Sequence, residues 1–258
     1  MKKVFSILFI LISFSCFGQE EKEQVFSLLQ EAEEFIQKEE WTAAKEKSQE
    51  AYNIAKTKDW EDGLLSSLKL LSRIAEKQEK PELILQYKLD ILDYNLKNGD
   101  HLSIYESYEN LAQLYRNQEI HNKAIEYYHY ALAYVPTEDL YNAKEHFWEQ
   151  LAYTHRLNES YDSARFYQQY LINTSIDKND FNHQLFHLQK IADTWLIEKN
   201  YTKALEVNHK IYKLSEEKND IKNLATSANN IGIVYSKSKD YKNSLIYLKQ
   251  AEKIYNNN

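Results

Sequence analysis

Apolar positions recur along almost the whole chain with helical spacing, and the arrangement repeats every 40 residues. Six windows starting at Val25, Leu65, Tyr105, Glu145, Leu185 and Ala225 align with no insertion or deletion. Column 8 of the windows is uniformly small: Ala32, Ser72, Ala112, Ala152, Ala192, Gly232. Column 7 is Glu31, Leu71, Leu111, Leu151, Ile191, Ile231, and column 20 is Ala44, Ile84, Ala124, Ala164, Ala204, Ser244. Column 27 reads Ala51, Ile91, Ala131, Leu171, Ile211, Ala251. Columns 4, 7, 8 and 11 share one face of a helix, because steps of three and four return to the same side. Columns 17, 20, 24 and 27 make a second such face after a short break. Each window therefore predicts two antiparallel helices of roughly 15–18 residues.

The columns carry steric information. Small residues in columns 8 and 20 let the two helices of a hairpin approach closely. Large rings beside them, Phe35, Tyr115, Trp195 and Tyr235 in column 11 and Trp41, Tyr161, Tyr201 and Tyr241 in column 17, fill the remaining space. Turn-and-cap runs separate the windows: Lys97-Asn98-Gly99-Asp100, Lys178-Asn179-Asp180 and Lys218-Asn219-Asp220. Gly or Asn is expected in a left-handed helix end, and Asp is expected to cap the next helix. Pro136 stops the helix before it, and Thr137-Glu138-Asp139 is a similar turn.

This pattern resembles the tetratricopeptide repeat (TPR) over about residues 25–258. The third window matches best, with Tyr108, Leu111, Ala112, Tyr115, Ala124, Tyr128, Ala131 and Pro136 at the family positions. The usual unit has 34 residues, so the 40-residue unit resembles the longer-helix variant of bacterial regulators and sensors. The resemblance implies an all-α, right-handed superhelical solenoid of about six helix-turn-helix hairpins, with repeats starting near 25, 65, 105, 145, 185 and 225. The first two windows depart from the pattern, with Glu31 in column 7 and Pro81 in column 17.

Residues 1–18 differ from the rest. Lys2 and Lys3 precede an almost unbroken apolar run from Val4 to Phe14, followed by Ser15-Cys16-Phe17-Gly18. The run is short for a membrane span, which needs about 20 apolar residues, and it reads as a secretory signal peptide cleaved after Gly18. Cys16 is the only cysteine, so no intrachain disulfide can form. It is discarded with the leader or carries a lipid after cleavage before it. Ser13 stands where a lipobox usually has Leu, and Phe14 is bulky, which favours the discarded leader. Residues 19–258 are then the exported solenoid, in the periplasm or cell envelope, attached to a membrane only if Cys16 is lipidated.

Composition narrows the function. Four Gly and two Pro in 258 residues are too few for the turns of a strand-rich fold. A net charge of −7, or −9 without Lys2 and Lys3, argues against nucleic acid as a partner. The sequence has no Gly-rich phosphate loop and no Gly-x-Ser-x-Gly elbow. His183 and His187 have metal-compatible spacing on one helix, but no third ligand accompanies them, so solvated or hydrogen-bonded histidines are expected. No cofactor and no enzyme activity are expected.

The resemblance points to binding. In the family, columns 2, 5, 6, 9, 12 and 13 of the first helices line a concave groove. Here they supply the cations Lys69, Arg73, Arg116 and Arg156, the amides Asn110, Gln113, Gln150 and Gln189, the flat surfaces of His146, Tyr153 and Phe186, and the acids Glu109, Glu149 and Asp193. A mixed groove of this kind suits another protein or an extended peptide. Lys69, Arg73, Asn110, His146 and Gln150 stand where some family members grip a C-terminal carboxylate, with two of the five identities kept. The last helix retains Leu245, Leu248, Ile254 and Tyr255 instead of a polar end, and is expected either to be a frayed, partly exposed end or to dock on a partner or a second copy. The resulting expectation is a non-catalytic protein-binding scaffold. The alternative is a sensory ectodomain-like protein related to TPR-containing histidine kinases or helix-turn-helix regulators.

Overall fold

The computed structural model describes the backbone of residues 2–135 and 140–256 and the side chains of residues 19–135 and 144–256. Among them are twelve helices and no strand: α1 (Lys2–Gln37), α2 (Trp41–Thr57), α3 (Glu61–Lys77), α4 (Pro81–Asn98), α5 (His101–Asn117), α6 (His121–Ala133), α7 (Leu140–Leu157), α8 (Tyr161–Asp177), α9 (Phe181–Ile197), α10 (Tyr201–Glu217), α11 (Ile221–Lys237) and α12 (Tyr241–Asn256). Consecutive helices pair into six hairpins, as the sequence columns predict. Column 17 is the first residue of every second helix, which explains Pro81: at the start of α4 its missing N–H has no partner to lose. Cys16, Pro136 and Thr137-Glu138-Asp139, for which anchoring and turn roles are expected, lie outside the described side chains.

The turns follow a 20-residue beat that the sequence columns did not reveal. Glu39, Asp59, Glu79, Glu119, Glu159, Asn179, Lys199, Asn219 and Lys239 all have left-handed backbone, with φ between 48° and 68°. Turns within hairpins and turns between them therefore share one geometry. Asn179 and Asn219 take the left-handed position as expected. Gly99 does not: its φ is −83°. It is needed for space instead, because a Cβ there would lie 2.6 Å from the Asn95 carbonyl oxygen. Asp100, Asp180 and Asp220 cap the following helices as expected, accepting from the backbone N–H of Ser103, His183 and Asn223 at 2.8, 3.1 and 3.0 Å.

The small columns are buried. Ala32, Ala44, Ala112, Ala124 and Ala204 have no exposed surface. Gly232 takes the idea furthest: a Cβ there would meet Leu248 Cγ at 2.8 Å, so the glycine lets α12 lie directly on α11. Gly63 likewise leaves room for the indole of Trp60, which would overlap a Cβ. The chain divides into two compact units, Met1–Gln118 with His129–Pro136, and Glu119–Tyr128 with Thr137–Asn258. In the first, Val25, Leu28 and Ala51 form a core cluster backed by Leu29, Ile54 and Trp60. In the second, Ile172, Leu185, Leu188, Ile191 and Ile211 do so with Phe181, Trp195, Val207 and Leu214 around them. Each fully buried Leu or Ile contributes about 1.5–3 kcal/mol.

The last helix exposes Tyr241, Leu245, Ile246 and Tyr255 to solvent by half or more. Leu248 is only partly exposed because it seats against Gly232, and Ile254 is half-buried. Tyr255 is tied by its hydroxyl to Thr226 Oγ1 at 3.3 Å.

Candidate functional site

Three of the groove residues meet in the first unit. Lys69 and Arg73 on α3 and Asn110 on α5 line one hollow of about 330 Å³ whose floor comes from α4. The floor is tightly held. Asn95, 4% exposed, donates to the Ser107 hydroxyl at 2.8 Å and the Ser103 carbonyl at 3.1 Å, which locks α4 to α5. Lys88 pairs with Glu76 at 2.8 Å on the same wall.

Arg73 differs from the sequence expectation. It is ion-paired with Glu33, which lies 40 residues earlier in the same column. Its charge is therefore partly spent joining α3 to α1. Lys69 is exposed and has no ion pair among the described residues, so it is the cation this hollow offers.

A second hollow of about 260 Å³ lies in the other unit, between α7, α8 and α9. His146, one of the groove-column residues, lines it. Of the other lining groups, Glu149 belongs to a groove column and His183 and His187 are the pair with metal-compatible spacing, while Glu145, Lys178 and Asp180 were not foreseen as part of a site. Lys178 pairs with Glu145 at 2.7 Å, and Asp180 with His183 Nδ1 at 2.7 Å. His187 is 3% exposed, and burial pushes its pKa down to about 4. At neutral pH it is uncharged. Nδ1 donates to the Gln168 carbonyl oxygen at 3.1 Å, which leaves the lone pair on Nε2. Column 3 carries a partial signal for this residue: it reads Ser27, Ser67, Ser107, Phe147, His187 and Ser227, all but Ser27 buried. A histidine in a buried column of mostly serines is a conspicuous substitution.

The remaining predicted groove residues lie apart from these two hollows. Gln113 donates to Glu109 at 3.0 Å along α5, and Arg116 occupies the last turn of that helix, partly buried. Gln150 accepts from the Tyr128 hydroxyl at 3.4 Å. That bond satisfies a tyrosine with no exposed surface, packed edge-on against Phe147 with ring centroids 6.1 Å apart. The Tyr153 ring, 45% exposed, carries the Arg156 guanidinium at 5.3 Å from its centroid. Phe186, half exposed, carries Lys190 at 4.8 Å.

A third hollow, about 420 Å³, lies in the first unit on the side of the second helices. Tyr52, Trp60 and Tyr94 line it with Asp90 and Asp93. Burial, with Asp93 beside it, holds the Asp90 carboxyl above the ordinary carboxylate range. No groove column of the sequence contributes to it. Among the described residues no group of three or more His, Cys, Asp or Glu is placed to hold a metal ion. Among the same residues no helix is long and apolar enough to cross a membrane.

No family model and no curated protein matches the sequence. Solved structures do match it. A signal transduction ATPase with numerous domains (STAND) and a tetratricopeptide repeat sensor, from Pyrococcus horikoshii, superposes with a TM-score of 0.62. The two are 16% identical over 91% of this chain and 37% of that one. The apo form of RapI gives 0.57 at 21% identity, over 90% and 66% of the two chains. BtubC from P. vanneervenii gives 0.53 at 16%, over 91% and 90%.

The fold is TPR-like. At these identities the likeness is one of architecture alone. The TPR-like hairpins place the first helices side by side, and that is why Lys69, Arg73 and Asn110, contributed by two of them, come to one hollow. The chain spans little more than a third of the STAND protein.

Proposed function

We propose that this chain is a non-catalytic scaffold of the bacterial cell envelope that binds another protein through an extended peptide segment. The observation that carries the proposal is the convergence of Lys69, Arg73 and Asn110 on one open hollow between successive first helices. An exposed cation, a paired arginine and a free-standing amide can hold the carbonyls and acidic groups of an extended backbone. The TPR-like fold supports this reading, since stacked hairpins offer a preformed surface and little ordering cost on binding. A random-peptide display library panned on the immobilised protein tests it. The expected result is a common motif, lost on a Lys69→Ala/Asn110→Ala variant of unchanged stability. No enrichment, or equal enrichment on both, refutes the groove.

The envelope part of the proposal rests on residues 1–18. Amino-terminal sequencing of the protein from the periplasmic fraction is expected to begin at Gln19. A start at Cys16 with a lipid on its thiol makes the protein a membrane-attached lipoprotein, and an intact leader refutes export. The 40-residue repeat is proposed to be the longer-helix form of the TPR.

A sensory role is the second reading. It draws on the similarity to the STAND protein, whose repeat part is described as a sensor. A kinase or DNA-binding frame beside the gene supports it, as does an attached output domain in a longer chain.

A further inference from the structure

The hollow between α7, α8 and α9 holds two hydrogen-bond acceptors that no described residue uses together. Glu149 Oε1 and His187 Nε2 are 3.9 Å apart, too far for a direct bond, and neither neutral imidazole nitrogen lone pair nor carboxylate can donate to the other. The other carboxylates have partners in the wall, Glu145 in the Lys178 ammonium and Asp180 in a hydrogen bond from His183 Nδ1. Glu149 is the carboxylate left over, 45% exposed at the mouth, while His187 is almost completely buried at the back. Both acceptors open onto the hollow, so a donor that enters it can reach them together.

The missing partner must donate at least two N–H groups and carry positive charge. Three carboxylates against one lysine make the lining negative. An ammonium ion would meet Glu149 as a single point charge. A guanidinium presents a rigid fork and can bond the carboxylate and the imidazole nitrogen at once. The volume of about 260 Å³ accommodates an arginine side chain.

We propose that this hollow takes an arginine side chain of the bound peptide, with Glu149 and His187 Nε2 as its acceptors. This rests on the scaffold reading and names one side chain of the ligand. Glu149 supplies the charge and His187 the orientation, with Gln168 holding the imidazole in the tautomer that accepts.

The test uses the full chain with ¹³C-labelled histidine and Nα-acetyl-arginine methylamide as the probe. The His187 ring signal is expected to shift saturably in the millimolar range. The neutral isostere, Nα-acetyl-citrulline methylamide, and the Glu149→Gln variant are each expected to weaken binding by about tenfold, as loss of a charge-assisted fork implies. No saturable shift overturns the assignment, and so does equal binding of citrulline. Equal binding of the lysine analogue overturns the choice of guanidinium. Glu149 is half exposed, so its substitution leaves the fold in place, which the unchanged signals of His121 and His209 verify. Peptide selection that depends on Lys69 and Asn110 without an arginine response here sinks this inference alone. An arginine response without any peptide selection sinks the groove reading instead.

Discussion

The guanidinium of Arg165 lies flat over the indole of Trp195, 3.5 Å from the ring centroid, and so joins α8 to α9. The same side chain, 11% exposed, pairs with Glu198 at the end of α9 and with Asp162 on its own helix. One residue thus ties the second helix of one hairpin to the first helix of the next. Arg165→Ala is expected to cost about 2 kcal/mol, from the lost stacking and the packing of the aliphatic stem. Arg165→Lys should recover less than about half of it, because an ammonium cannot stack as a plane. Urea unfolding followed by helical circular dichroism reads both. A loss within about 0.5 kcal/mol of zero for the alanine variant would make the pair a surface accident.

The small columns are predicted to tolerate no bulk. Ala152 and Ala192 are 2% and 1% exposed at the helix crossing. Ala152→Leu or Ala192→Leu should overpack the hairpin and cost roughly 1–3 kcal/mol. Changes below about 0.5 kcal/mol at both sites would contradict the packing role of column 8.

The left-handed turn residues offer the opposite effect. Glu119 and Lys199 have φ of 61°, where a Cβ is unfavourable. Glu119→Gly and Lys199→Gly should each raise stability by about 0.5–1 kcal/mol, seen as a higher urea midpoint. Gly99→Ala should do the reverse, since the obstacle there is the Asn95 carbonyl.

Stability should fall in acid through His187. Burial lowers its folded pKa to about 4 from an ordinary value near 6.5, so the unfolded chain binds the proton first. Its contribution is fully present above pH ~6.5 and is lost as the pH falls toward about 4, on the order of 3 kcal/mol in all. In His187→Gln this part of the acid limb should flatten. Parallel curves for the two proteins between about pH 6.5 and 4 would show that the imidazole is not held neutral.

Much of the architecture was legible in the residue columns because it rests on local, repeated causes. A small residue where helices cross and an apolar stripe three or four residues apart act within one hairpin and recur along the chain, and Asp100, Asp180 and Asp220 cap the first helices of three hairpins. Even Pro81, an apparent break in the pattern, sits where a helix start accepts it. Apart from Asn179 and Asn219, the shared turn geometry was hidden because the left-handed positions are held by Glu, Asp and Lys, with no glycine to mark them.

The site was legible only in part. Lys69, Asn110 and His146 fell where their columns placed them, facing a hollow. That Arg73 would reach back to Glu33, and that Gln150 would be engaged by Tyr128, depended on which of several flexible neighbours lay nearest across two helices. The sequence by itself determined the helices, their pairing and the faces they bury, because those follow from backbone periodicity and side-chain size. Only the tertiary structure decided which charges are consumed and which remain, because a long side chain can meet several partners and the stagger of adjacent helices selects one. His187 shows the division: its spacing put it on one helix face with His183, but its burial and its acceptor facing Glu149 exist only once α7, α8 and α9 are packed together.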